Sequence, residues 1–299
     1  MEAASGIGGA VTILAVAQMS LPDGRVLAYE VMGDRAGFPV MVLHGTPGSS
    51  RQLAGLDRLA RDRGVAVIAP DRAGYGGSGW DRSRTIASGA GDLGKLIGHA
   101  GLAGCAVVGL SGGGPTALAC GVVLADRVST VATVGGVAPL VPRDPRLPAD
   151  RLMIKTARRS QAAARALFAA ILRAGRIRPE QTLRRFAALL AKPDADLLGD
   201  DAGLRDGFLD DLRHPSPTAA RAAARDFWLF TRPWDIDLAG MAVPAHIWHG
   251  TQDRNVPVAH AHVIAARCPA ARLHVVDGGG HMLLSHLEDI MASMTPRRR

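Results

Sequence analysis

Short apolar runs alternate with amphipathic stretches through the first third of the chain. Residues 40–43, 65–69 and 105–108 are apolar at every position, the pattern of strands buried on both faces. Residues 128–134 are rich in β-branched side chains and read as a fourth strand. Residues 51–63, 86–99 and 115–124 have helical spacing. Residues 11–18 and 25–31 flank a Leu-Pro-Asp-Gly turn, which predicts an antiparallel hairpin. Strands separated by helix-length segments need crossover connections, so the expected fold class is α/β with a doubly wound, mostly parallel sheet.

The texture changes near residue 137. Residues 151–191 are rich in Ala, Arg and Leu at helical spacing, residues 193–211 are acidic, and residues 218–230 predict one more helix. The α/β alternation then resumes, with strands expected at 246–248 and 273–276 and a helix after His281. The expected organisation is a core over residues 1–137, an inserted helical cap over 138–235, and the rest of the core over 236–299.

Composition narrows the classes of function. A chain of 299 residues that is 47% hydrophobic can bury a large core. Its 4% aromatic content argues against stacking platforms for single-stranded nucleic acid. The formal charge is +8, and only three of the 35 basic residues are lysines. Residues 143–192 carry 13 basic and 3 acidic side chains, while residues 193–212 carry 1 and 7. That dipolar arrangement reads as self-complementary helix surfaces rather than a nucleic-acid footprint. The N-terminal apolar run has no basic residues before it, and Gln18 interrupts it before about 20 apolar residues have passed. Three widely spaced cysteines suit a reducing, cytoplasmic setting with no stable membrane insertion.

The sharpest chemical signal is Gly109-Leu110-Ser111-Gly112-Gly113, between an apolar run and a helical stretch. A tight strand-to-helix turn there lifts the Ser111 hydroxyl above the sheet edge and aims the Gly112 N–H at the reacting centre. A hydroxyl needs a base, and the base an orienting acid. His281 follows a strand in Asp277-Gly-Gly-Gly-His281, and Asp253 follows another in His249-Gly-Thr-Gln-Asp253. The candidates occur in the order Ser, acid, His, each just past a strand, where ligands bind in open α/β sheets. After the strand at 40–43, His44-Gly45-Thr46-Pro47-Gly48 exposes a backbone N–H, that of Thr46, as partner to Gly112 in an oxyanion hole. One such donor contributes about 3 kcal/mol to transition-state stabilisation. His44 reads as structural.

With these residues in view, the chain resembles the α/β-hydrolase family. The match rests on His44–Gly48, Asp71-Arg-Ala-Gly-Tyr-Gly-Gly-Ser78, Gly109–Gly113, Asp253 and His281. The resemblance implies Ser111 as nucleophile, His281 as base, Asp253 as its orienter, and residues 138–235 as a cap over the pocket. Relatives that use an aspartate nucleophile, such as epoxide hydrolases and haloalkane dehalogenases, are disfavoured by Ser111. Both tyrosines, Tyr29 and Tyr75, lie outside the insertion, where epoxide hydrolases keep theirs. The expected activity is ester hydrolysis of a small acyl substrate. Alternatives are a small-ligand binding protein with little turnover, a C–C bond hydrolase, or a perhydrolase using the same serine.

No cofactor motif is present. The loop at 74–78 lacks the Lys-Ser/Thr ending of a phosphate loop. His260, His262 and His274 have no Cys or acid cluster beside them, so no metal is expected. Trp228, with Phe227 and Phe230, is the candidate apolar substrate contact in the insertion, and the same side chains would also serve to dock a helix. An apolar cap surface could also support a homodimer.

Overall fold

The apolar run at 40–43 lies at the middle of an eight-stranded sheet. The computed structural model describes residues 16–139 and 148–295. Strands β1 (Ala17–Ser20) and β2 (Val26–Gly33) form the hairpin, followed by β3 (Phe38–Leu43), β4 (Val65–Pro70), β5 (Cys105–Leu110), β6 (Val128–Val134), β7 (Ala245–Gly250) and β8 (Ala271–Val276). Their spatial order is β1-β2-β4-β3-β5-β6-β7-β8. The pairs β1/β2 and β2/β4 are antiparallel and the others parallel. The first predicted strand begins among residues outside those described, and β1 ends at Ser20 rather than Gln18.

Alternation within β3 shows why its sequence is apolar throughout. Met41 and Leu43 face one layer with Leu96 and Leu118, from α2 (Ile86–His99) and α3 (Gly114–Val123). Val40 and Val42 face the opposite layer with Ala60 and Ile290, from α1 (Leu56–Asp62) and α11 (Leu287–Met294). Helix α10 (Ala259–Arg267) joins the first layer through Ile264. The chain goes from β3 outward to β4, then returns across β3 to β5. This reversal opens a crevice between the C-terminal ends of β3 and β5, where Leu43 is in register with Gly109.

Between β6 and β7 the described residues form six helices: α4 (Pro148–Arg159), α5 (Gln161–Ile177), α6 (Pro179–Ala187), α7 (Lys192–Asp200), α8 (Ala202–Arg213) and α9 (Ala219–Phe230). The acidic stretch is therefore α7 and α8, with the Asp201 side chain accepting the Leu204 N–H at the start of α8. Phe168 packs on Phe227, and Phe227 on Phe230, with ring centroids 5.1 and 5.8 Å apart. Burying each such ring stabilises the packing by about 2–3 kcal/mol.

Two local expectations shift. The helix expected over 51–63 divides into a 3₁₀ turn at Ser50–Leu53 and α1, with Gly55 between. A Cβ on Gly55 would lie 2.6 Å from Leu204 Cδ2, so close packing of α8 requires glycine there. The acids of the insertion also reach beyond it: Asp210 pairs with Arg51, and Asp211 accepts from Ser49 Oγ and Gln52 Nε2. Complementarity among the inserted helices therefore explains only part of their charge pattern. Among the described residues no helix is long and apolar enough to cross a membrane.

Candidate active site

Ser111 sits where β5 turns into α3, with a backbone φ of +50°. A non-glycine residue in that region costs about 1–3 kcal/mol and persists only where its surroundings enforce it. The enforcement is visible. A Cβ at Gly109 would come within 2.6 Å of the Gly113 carbonyl, and one at Gly113 within 2.7 Å of the Leu43 and His44 carbonyls. Both flanking positions must lack a side chain, as the motif predicts. Pro115 lies in the first turn of α3, and the positive end of that helix dipole faces the turn.

Asp253 lies just past β7 and is buried. Its Oδ2 accepts from His281 Nδ1 at 2.8 Å and from His249 Nε2 at 3.1 Å. Its Oδ1 accepts the backbone N–H groups of Asn255 and Val256, each at 2.9 Å. Burial acts to raise the pKa of Asp253, but the two histidines outweigh it and hold the carboxyl well below the usual carboxylate range. An ionised carboxylate only accepts, so His281 Nδ1 carries a proton and Nε2 presents a lone pair. A Cβ on Gly135, at the end of β6, would lie 2.9 Å from His281 Nδ1. The imidazole therefore rests against the strand next to β5.

The loop after β3 completes the group. A Cβ on Gly45 would be 3.3 Å from Ser111 Cβ, and one on Gly112 would be 2.2 Å from Thr46 Oγ1. The loop thus runs beside Ser111, with Thr46 against Gly112. His44 is fully buried. Burial, then the charge of Arg72, lowers its pKa well below the ordinary value. Its neutral ring accepts the Arg72 backbone N–H at Nε2, 3.0 Å away, and donates from Nδ1 to the Gly45 carbonyl at 2.8 Å. That is a structural role, as expected.

Sequence reasoning missed two features. His249 donates to the Val256 carbonyl at 2.6 Å as well as to Asp253. Its i,i+4 spacing from Asp253 was the available signal. The second is a buried cluster around Asp226 on α9, which binds Thr46, Arg72, Tyr75 and Arg84. The loop at 71–78 supplies Arg72 and Tyr75, and is itself held by Asp71, which accepts the N–H groups of Ser50 and Gly77 at 2.8 Å. Gly112, Thr116, Asp226 and Phe230 line one cleft beside this cluster.

Trp228 lies between two cations, with Arg225 and Arg232 at 4.6 and 4.9 Å from its ring centroid. The α9 side chain that approaches Gly112 is Phe230, 3.1 Å from where a Cβ would stand. His274 stacks on Trp248 and shares a hydrogen bond with His246, while His260 Nδ1 accepts the Ala138 N–H.

Comparison with known proteins adds to this geometry. A family model for the alpha/beta hydrolase fold matches residues 39–285. An uncharacterized hydrolase, YcgS, from Bacillus subtilis is 25% identical over 276 residues, covering 87% of this chain and 90% of its own length. A non-heme haloperoxidase from Rhodococcus erythropolis is 28% identical over 268 residues, covering 87% of this chain and 90% of that protein. The crystal structure of an esterase from Rhodococcus sp. ECU1013 superposes with a TM-score of 0.65 at 22% identity, covering 94% of this chain and 99% of the other.

Proposed function

The chain belongs to the α/β-hydrolase fold family and is a hydrolase; from that premise we propose that it cleaves a carboxylic ester or related acyl compound through Ser111, His281 and Asp253. The observation that carries this reading is the 2.8 Å hydrogen bond from His281 Nδ1 to a buried, ionised Asp253, in a chain whose β5 ends at a strained Ser111.

In this reading Ser111 Oγ attacks the substrate carbonyl and His281 Nε2 takes its proton. Asp253 holds the ring in the tautomer that leaves Nε2 unprotonated and stabilises the imidazolium that forms. The oxyanion receives the N–H groups of Gly112 and Thr46 at the N-terminal end of α3. His281 then gives the proton to the leaving alcohol. Water, activated by the same imidazole, releases the acid and restores Ser111. The inserted helices α4–α9 serve as the cap. A cytoplasmic location belongs to the same proposal, supported by three free, buried cysteines.

The haloperoxidase relative favours one second reading, in which hydrogen peroxide replaces water at the acyl-enzyme and yields a peracid. Both readings share the first test. A fluorophosphonate probe should label the wild type at Ser111 and leave Ser111→Ala unlabelled, and absence of labelling in the wild type would sink both. A series of p-nitrophenyl esters, with and without peroxide, then separates hydrolysis from perhydrolysis.

A further inference from the structure

Helix α9 carries a carboxylate into the loops beneath it. Asp226 is 3% exposed and accepts from four side chains: Thr46 Oγ1 and Tyr75 Oη at 2.7 Å, Arg72 Nη1 at 3.0 Å and Arg84 Nη2 at 2.5 Å. Burial raises its pKa, but the two guanidinium groups and the two hydroxyl donors outweigh that effect and keep it ionised.

Arg72 distributes this anchorage along the loop after β3. Besides Asp226 it donates to the carbonyls of His44 at 3.1 Å and Gly45 at 2.8 Å, and to Thr46 Oγ1 at 2.7 Å. Three consecutive residues are thereby held by one guanidinium whose orientation Asp226 sets. Thr46 Oγ1 both donates to Asp226 and accepts from Arg72, which fixes its side-chain rotamer and, through it, the peptide that carries the Thr46 N–H. One turn beyond Asp226, Phe230 approaches Gly112, so a single face of α9 touches both residues of the oxyanion hole.

We propose that Asp226 is a positioning residue for acyl transfer: acting through Thr46 and Arg72, it holds the oxyanion donors in place, so that docking of α9 and catalytic competence are one state. This inference rests on the serine-hydrolase reading. An oxyanion hole stabilises charge only when its donors are pre-aimed, and displacement of about 1 Å costs roughly 10²-fold in rate.

The test compares Asp226→Asn, Thr46→Val and Thr46→Ser on p-nitrophenyl acetate, with active sites counted by fluorophosphonate titration and folding followed by circular dichroism. The expected result is a drop of about 10²-fold in kcat per titrated site for Asp226→Asn and Thr46→Val, with KM within about threefold. The double variant should be no worse than the poorer single variant, because both break one linkage, and Thr46→Ser should recover most of the Thr46→Val loss. If Asp226→Asn does not fold, the two Thr46 variants decide. A kcat per titrated site within twofold of wild type in the folded variants overturns the inference while leaving the serine hydrolase standing. A wild type that neither labels nor turns over overturns both.

Discussion

The carboxylate of Asp194, on α7, accepts the backbone N–H of Met282 at 2.8 Å, tying the inserted helices to the residue that follows His281. The contact is possible because Gly280 has no side chain: a Cβ there would lie 2.2 Å from Asp194 Oδ2 and 2.8 Å from Ala191 Cβ. Gly280→Ala must therefore push α7 away from the His281 loop. We expect kcat on p-nitrophenyl acetate to fall about tenfold or more, with a lower Tm. Unchanged turnover and Tm would show that α7 has no hold on the loop.

Asp253→Asn keeps the shape of the acid but removes its charge. An amide can donate to His281 Nδ1, which favours the tautomer with the proton on the wrong nitrogen. A kcat reduction of about 10³–10⁴-fold is expected, with KM little changed. Steady-state kinetics near neutral pH check it, and a loss below tenfold would remove Asp253 from the mechanism.

The backbone of Ser111 is held in a strained conformation. Its φ of +50° is one that glycine adopts freely. Ser111→Gly should raise stability by about 1 kcal/mol while abolishing fluorophosphonate labelling. Urea unfolding of both proteins measures the first effect, and a destabilised variant would contradict the strain.

Asp211 gives the fold a pH dependence of unusual sign. Burial pushes its pKa up to about 6, against the bonds it accepts from Ser49 and Gln52. An unfolded aspartate titrates near 4, so between about pH 4 and 6 the folded state binds more protons. Stability from this group therefore falls as pH rises through that window and stays at the lower level above it. Asp211→Asn should raise Tm by about 2 °C at pH 8 and change it little at pH 4. Asp253, with a lowered pKa, contributes the opposite slope, confined to the acid side of about pH 4. Thermal melts from about pH 2 to pH 8 for wild type and variant resolve the two.

The charge of the insertion illustrates how far one-dimensional reading reaches. Its basic and acidic halves are plain in the sequence, and pairing between them was the economical expectation. Asp210, Asp211 and Asp226 instead meet Arg51, Ser49, Gln52, Arg72 and Arg84, because segments at the sheet's edge offer donors that face the inserted helices. Composition carries sign and amount, but a salt bridge is a matter of position.

What the sequence determined by itself is everything that depends on neighbours within a few residues. A strand buried on both faces must be apolar at every position, so β3, β4 and β5 were legible. The tight turn at Ser111 needs glycine two positions either side, and Gly109 and Gly113 stand there because a Cβ would strike backbone. That Asp253 and His281 lie in loops past β7 and β8 was legible because each follows a strand-like run. Only the tertiary structure decided which distant groups meet. Thr46 and Asp226 are 180 residues apart, and Asp194 and Met282 are 88 apart. Those contacts follow from where the inserted helices dock, and docking is set by the shapes of packed surfaces, which no local pattern of hydrophobic and polar residues encodes.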